Sequence, residues 1–272
     1  MSPTHPQWQQ PALHPIYVRL LGALLARRGV DTPALLTEVG LTRDALDGDA
    51  LIPYTAVQAL ISRVVELSDC PWLGLEFGAA AQIHTHGVVG HATVASGTLE
   101  TALRTLARYA SLRLRAVRLQ LQPGSAHTTL RIVPTYPLAD AGEFIIDALL
   151  VIIERMLQTL SGAALDGARY HLPQARPPWA ARYGEFLSGR VTFGDVTEAT
   201  LQFDHALLEQ TCLTADARTY ASATQECDAK LGSAADFGAR IRTRLANCTD
   251  RYPTAAALAG ELHVSPRNLF RR

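Results

Sequence analysis

The chain has 272 residues, with 25 Lys and Arg against 25 Asp and Glu, 48% hydrophobic residues, 19 Gly and 15 Pro, a core-forming balance that excludes the disordered and fibrous classes. A chain of this length buries roughly 70% or more of its unfolded surface, so it needs neither disulfides nor a structural metal to fold. The four cysteines, Cys70, Cys212, Cys227 and Cys248, lie far apart with no C-x-x-C spacing, which argues against a zinc site or a secreted disulfide frame and points to a reducing cytoplasm.

Residues 1–15 are polar and punctuated by proline, and are expected to form a flexible tail with no secretory signal. Ile16, Leu20, Ala23 and Leu24 then recur at helical spacing up to Gly29, a suitable stop. A short helix over 32–39 has Asp31 or Thr32 as its cap and Pro33 in its first turn. Another starts at Thr55, with Val57, Leu60, Ile61 and Val64 inward, and Thr98 opens one with Leu99, Ala102, Leu103 and Leu106 inward. The uncharged run 77–99 is too rich in glycine, histidine and hydroxyls to span a membrane.

The period changes near Ala116. Val117, Leu119 and Leu121 alternate with polar residues, Pro123-Gly124-Ser125 breaks the chain, and Leu130 and Ile132 alternate again, which predicts a β-hairpin. A long helix over 141–160, apolar on most of its circumference, is expected to pack centrally, although Asp147 and Glu154 interrupt it. Segments 168–172, 190–193 and 200–203 read as strands, giving with the hairpin a sheet of about five. Helices over 204–210, 215–231 and 234–246 follow. Without a βαβ repeat, the fold class is α+β, an about five-stranded, mostly antiparallel sheet with several helices, followed by an all-α segment.

Residues 234–272 carry a net charge of +4 and the rest of the chain −4, so a basic end sits on a slightly acidic body. Thr254 can cap a helix containing Leu258 and Leu262, His263-Val264 would form a turn, and Ser265-Pro266 restarts a helix that projects Arg267, Asn268 and Arg271 outward. This is a helix-turn-helix pattern, whose second helix suits the DNA major groove; an ordinary helical hairpin is the alternative.

At these residues the sequence resembles the AraC/XylS family of transcription regulators: Ala259, Leu262, Ser265, Leu269 and Arg271 match its helix-turn-helix signature. The body resembles the amino-terminal sensor domain of one branch of that family, the arabinose-binding-domain-like branch. The marks are Leu73-Gly74-Leu75 with Gly78, Gly87-Val88-Val89-Gly90-His91, Gly97 to Leu103 ending in Arg108-Tyr109, and Val191 to Gly194 with Leu201-Gln202-Phe203. His263 stands where the family turn usually has Gly. The resemblance implies a second helix-turn-helix unit, which the sequence, stopping at Arg272, does not contain, so the chain is expected to be shortened within its DNA-binding domain. It further implies a ligand-sensing and dimerisation domain over 16–231, an incomplete DNA-binding domain over 232–272, through which this chain is expected to bind its operator DNA only weakly, and a homodimer.

By the same resemblance, Arg267, Phe270 and Arg271 face bases and Ser265 lies near a phosphate; Phe270 equally suits packing under a linker helix. His84, His86 and His91 invite a metal, but no Asp, Glu or Cys accompanies them between 78 and 99, and neither metal nor cofactor is expected. His86 or His91 could instead touch an effector. Arg113, Arg115 and Arg118 beside Tyr109 could hold a carboxylate, or form a solvated edge. Asp147 and Glu154, with no histidine or metal partner in sequence, read as structural. With no nucleophile elbow, phosphate loop or nucleotide fingerprint, the expected function is a ligand-responsive, DNA-binding transcription regulator and not an enzyme. The alternatives are a histidine metalloprotein or enzyme, and a protein-interaction module.

Overall fold

The computed structural model describes residues 10–135, 137–246 and 254–261. The amino-terminal half is helical for the reasons its spacing gives. Helix α1 (Pro15–Ala26) starts behind His14, whose Nδ1 accepts from the Ile16 N–H, and buries Tyr17, Val18, Leu21 and Leu25. Asp31 caps α2 (Thr32–Glu38), Thr42 caps α3 (Arg43–Asp47), and α4 (Tyr54–Ser68) turns Val57, Leu60, Ile61 and Val64 inward.

Part of the expected tail is built into the fold. Strands β1 (Pro11–Leu13) and β2 (Ile52–Pro53) pair antiparallel, Ala12 is fully buried, and the Arg115 N–H donates to its carbonyl at 2.7 Å. Three residues paired with a segment forty residues away leave no local periodicity, so the sequence hides them.

Two helices lie where none is predicted, one running into the uncharged stretch and one within it: α5 (Leu73–Ala80) and α6 (Gly87–Val94). Their glycines serve close packing. A Cβ at Gly74 or Gly78 would lie 2.6 Å from the backbone oxygen of Phe144 or Ala148, on the central helix α8 (Gly142–Ser161), so the two backbones touch directly. Helix α7 (Leu99–Tyr109) is capped by Thr98, as its sequence indicates.

Five strands form the main sheet: β3 (Val117–Pro123), β4 (His127–Pro134), β5 (Arg169–Leu172), β6 (Arg190–Phe193) and β7 (Ala199–Asp204), in the order β3-β4-β7-β5-β6. Only the β5–β6 pair is parallel. Alternate residues such as Leu119, Leu130, Ile132, Tyr170, Leu201 and Phe203 are buried, as a half-covered sheet requires. The two carboxylates of α8 are buried and hydrogen-bonded. Asp147 accepts from the Tyr183 hydroxyl at 2.7 Å, while Glu154 accepts from Tyr170, from Gln158, and from both the N–H and the hydroxyl of Ser188. Both side chains thus tie the central helix to the elements packed on it.

After α9 (His205–Leu208) comes α10 (Ala217–Ala246), one continuous 30-residue helix where two are expected. Gly232-Ser233 does not break it, because an interior glycine costs only about 1 kcal/mol relative to alanine; the domain boundary expected at residue 232 therefore falls inside a helix. Helix α11 (Ala255–Glu261) has the anticipated cap, with the Ala257 N–H donating to Thr254 Oγ1 at 3.2 Å and Leu258 and Ala259 buried. No helix among the described residues is long and apolar enough to cross a membrane.

Candidate functional site

An apolar cavity of about 90 Å³ lies where α1, α4, α5, α7 and α8 meet the start of β3. Of its 22 lining residues, only Tyr17, His86 and Arg113 carry polar side-chain atoms. They reach one wall from three elements. Tyr17 sits on the inner face of α1, His86 ends the 3-10 turn Ile83–His86, and Arg113 follows the 3-10 turn Ala110–Leu112.

The turn geometry depends on Gly87. Its φ of +57° reverses the chain between the 3-10 turn and α6, and a Cβ there would lie 3.2 Å from Arg113 Nη2. That space admits the guanidinium, which donates to the Thr85 carbonyl at 2.8 Å and lies 6.0 Å from the centre of the Tyr17 ring. The Tyr17 hydroxyl and His86 Nδ1 are 2.8 Å apart, with their rings tilted by 42°.

The polar wall is rich in donors and poor in acceptors. Burial, assisted by the Arg113 cation, pushes His86 down to about 4, and burial raises Tyr17 to about 12, so both are neutral near pH 7. Together they offer two hydrogens, the phenol O–H and one imidazole N–H, and their mutual bond consumes one. His86 Nε2 and Arg113 Nε are buried without partners, and among the described residues no carboxylate comes within 4.0 Å of Arg113. The arrangement can therefore take an acceptor group attached to an apolar body.

The structure divides the sequence candidates. His86 and Arg113 share the cavity wall, whereas His91 is exposed on α6 and outside that wall. Tyr109 is buried elsewhere: its hydroxyl donates to Asp228 on α10 at 2.8 Å, beside Arg108, which pairs with the same carboxylate. Arg115 lines a separate depression with Arg118 and donates to the Ser111 carbonyl. The expected arginine cluster is thus split, because the chain turns between the 3-10 turn and β3. Tyr17 was not singled out in the sequence; its signal was a phenol on the inward face of an apolar helix, where the hydroxyl needs a partner. Ser265, Arg267, Phe270 and Arg271 lie outside the described residues. Among the described residues no group of three or more His, Cys, Asp or Glu is placed to hold a metal ion.

Comparison with known proteins bears on this site. Residues 29–212, which contribute most of the cavity wall, match the family described as the arabinose-binding domain of AraC transcription regulators, amino-terminal. The chain is similar to the ornithine utilization regulator of Pseudomonas aeruginosa, 26% identical over 259 residues that cover 94% of this chain and 76% of that protein. It is similar at 26% identity over 275 residues to a helix-turn-helix-type transcriptional regulator of Mycobacterium tuberculosis, covering 95% of this chain and 78% of the relative. Among solved structures, the transcriptional regulator CdpR from Pseudomonas aeruginosa shares the fold with a TM-score of 0.56 at 20% identity, over 93% of this chain and 77% of that one.

Proposed function

The chain belongs to the AraC family of transcription regulators through their arabinose-binding amino-terminal domain, and from that premise we propose that residues 16–231 sense a small-molecule effector and hold a homodimer in the cytoplasm, while residues 232–272 contribute to DNA binding. The observation that carries this reading is an apolar cavity with unpaired donors, built mostly from the family-matched residues. Sites for small molecules have this character, mostly apolar with a few polar groups that fix orientation.

The path from cavity to DNA-binding segment is short. His86 in the cavity wall is followed directly by α6, whose Val89 packs with Ala223 and Cys227 of α10. An effector acts through this contact by binding two arrangements of α6 and α10 with different affinity. On the DNA side, Arg267 and Arg271 read bases, Phe270 contacts a thymine methyl or packs internally, and Ser265 approaches a phosphate.

The test is an anisotropy titration of this chain on the upstream region of its own gene at fixed low salt, with Arg267→Ala and Arg271→Ala alongside. An arginine bidentate to guanine contributes about 1–3 kcal/mol, so each variant is expected to bind roughly 5- to 150-fold more weakly. Equal binding by all three chains overturns the DNA-reading assignment. Sedimentation showing only monomer at tens of micromolar, the order expected for a modest interface, overturns the dimer.

A further inference from the structure

The cavity is narrow for the number of side chains that surround it. Its volume of about 90 Å³ is smaller than the ~150 Å³ that holds a benzene ring in an engineered apolar cavity, and corresponds to about six to nine water-sized positions. A space smaller than that of one benzene ring admits an apolar body of only a few carbons.

The polar end restricts the other half of the molecule. Arg113 has no carboxylate partner among the described residues, the Tyr17–His86 pair retains one unused hydrogen, and no carboxylate lines the cavity. An ammonium group would meet the guanidinium cation there and no carboxylate. A carboxylate would gain charge-assisted bonds from the guanidinium and one from the Tyr17–His86 pair.

We propose that the occupant of this cavity is a small amphipathic monoanion, a short-chain alkanoate in its simplest form, with its apolar body among Leu21, Leu60, Phe77 and Ile152 and its carboxylate at Arg113, His86 and Tyr17. The proposal rests on the reading of this domain as a sensor and names the chemical class it senses. It separates this chain from a regulator of a diamino acid: ornithine, the compound in the name of the Pseudomonas relative, carries two ammonium groups for which this wall has no carboxylate.

The experiment is isothermal titration calorimetry of the full chain at pH 7.5 with propionate, butanoate and hexanoate, and with 1-aminobutane and ornithine as contrasts. Affinity is expected to rise about fourfold per methylene added, the value for burying one CH₂, and to level off where the cavity is filled. Butanoate is expected to bind at least tenfold more tightly than 1-aminobutane and than ornithine. Arg113→Gln is expected to weaken butanoate at least tenfold, with Arg113→Lys restoring part of the loss, while far-UV circular dichroism verifies that each variant is folded. Should Arg113→Gln fail to fold, Arg113→Lys and the amine contrast decide. The proposal is overturned if no alkanoate binds saturably, if affinity ignores chain length, or if the amine binds as well as the acid. None of these results alters the outcome of the Arg267 and Arg271 titrations, so a wrong effector class and a wrong regulator assignment are told apart.

Discussion

Replacing Asp147 by asparagine should stabilise the protein in alkaline solution and leave it unchanged in acid. The carboxyl group is 1% exposed; Oδ1 accepts from Tyr183, Oδ2 has no partner, and no cation lies within ion-pair distance among the described residues. Burial therefore pushes its pKa from 3.8 up to about 7, against the pull of the Tyr183 bond and with a push from Glu143. The folded chain keeps a proton that the unfolded chain releases above pH 3.8, so stability falls as pH rises from about 4 to about 7. Three pKa units at 1.36 kcal/mol each give a deficit on the order of 4 kcal/mol above pH 7. Asp147→Asn keeps the shape and the Oδ1 acceptor but has no charge to bury. His14 and His86, both held down to about 4 chiefly by burial, act in the opposite sense, adding stability as pH rises from 4 to 6.5. They do so equally in both proteins and cancel in the difference. Urea unfolding followed by circular dichroism should give free energies within about 1 kcal/mol of each other at pH 4 and favour the variant by several kcal/mol at pH 8. The same difference at both pH values would refute the argument, as would a variant less stable at pH 8.

Gly78→Ala places a methyl 2.6 Å from the Ala148 carbonyl, and should lower stability by about 1–3 kcal/mol through overpacking of α5 on α8, read as a lower urea midpoint. Glu154→Leu strands the Tyr170 hydroxyl and the Ser188 donors in the interior and should cost about 2–5 kcal/mol by the same measurement. Tyr109→Phe removes one bond to Asp228, so it should cost about 0.5–1.5 kcal/mol and accelerate amide exchange over residues 220–231 relative to the rest of the chain. Cys227 is fully buried, and burial raises its thiol to about 11; in the native protein it should resist a disulfide-exchange reagent at pH 8 and react once urea unfolds the chain.

What the sequence disclosed was what nearest neighbours along the chain can encode. The hairpin of β3 and β4, strand β6 at 190–193 and the Thr98 and Thr254 caps were legible because a period of two, or one hydroxyl before an apolar run, is a local signal. Helices α5 and α6 were not, since segments holding Gly74, Gly78 and Gly87 carry no helical period, and only α8 and the Arg113 guanidinium show what fills the space of the missing methyls. The same holds at the cavity. His86 and Arg113 drew notice as titratable groups, yet nothing in their neighbourhoods shows that one turns inward while His91 and Arg118 face solvent. Tyr17, 69 residues from His86, became part of the site only through the fold.

Helix α10 sets the scale on which a binding event would be felt. It is held at its first turns, where Tyr220 meets Thr105, Cys227 is buried with Val89, and Asp228 takes Tyr109 and Arg108, and it then runs on to residue 246. From Asp228 to that end is about 27 Å at 1.5 Å per residue, so a tilt of about 5° at the clamp carries the far end sideways by about 2 Å. DNA half-sites one helical turn apart are spaced at about 34 Å, and base contacts fail over a fraction of an ångström to an ångström of misplacement. If the proposed function holds, a shift of side-chain size at α6 would reach residue 246 as a change of register, with no rearrangement of the rest of the domain.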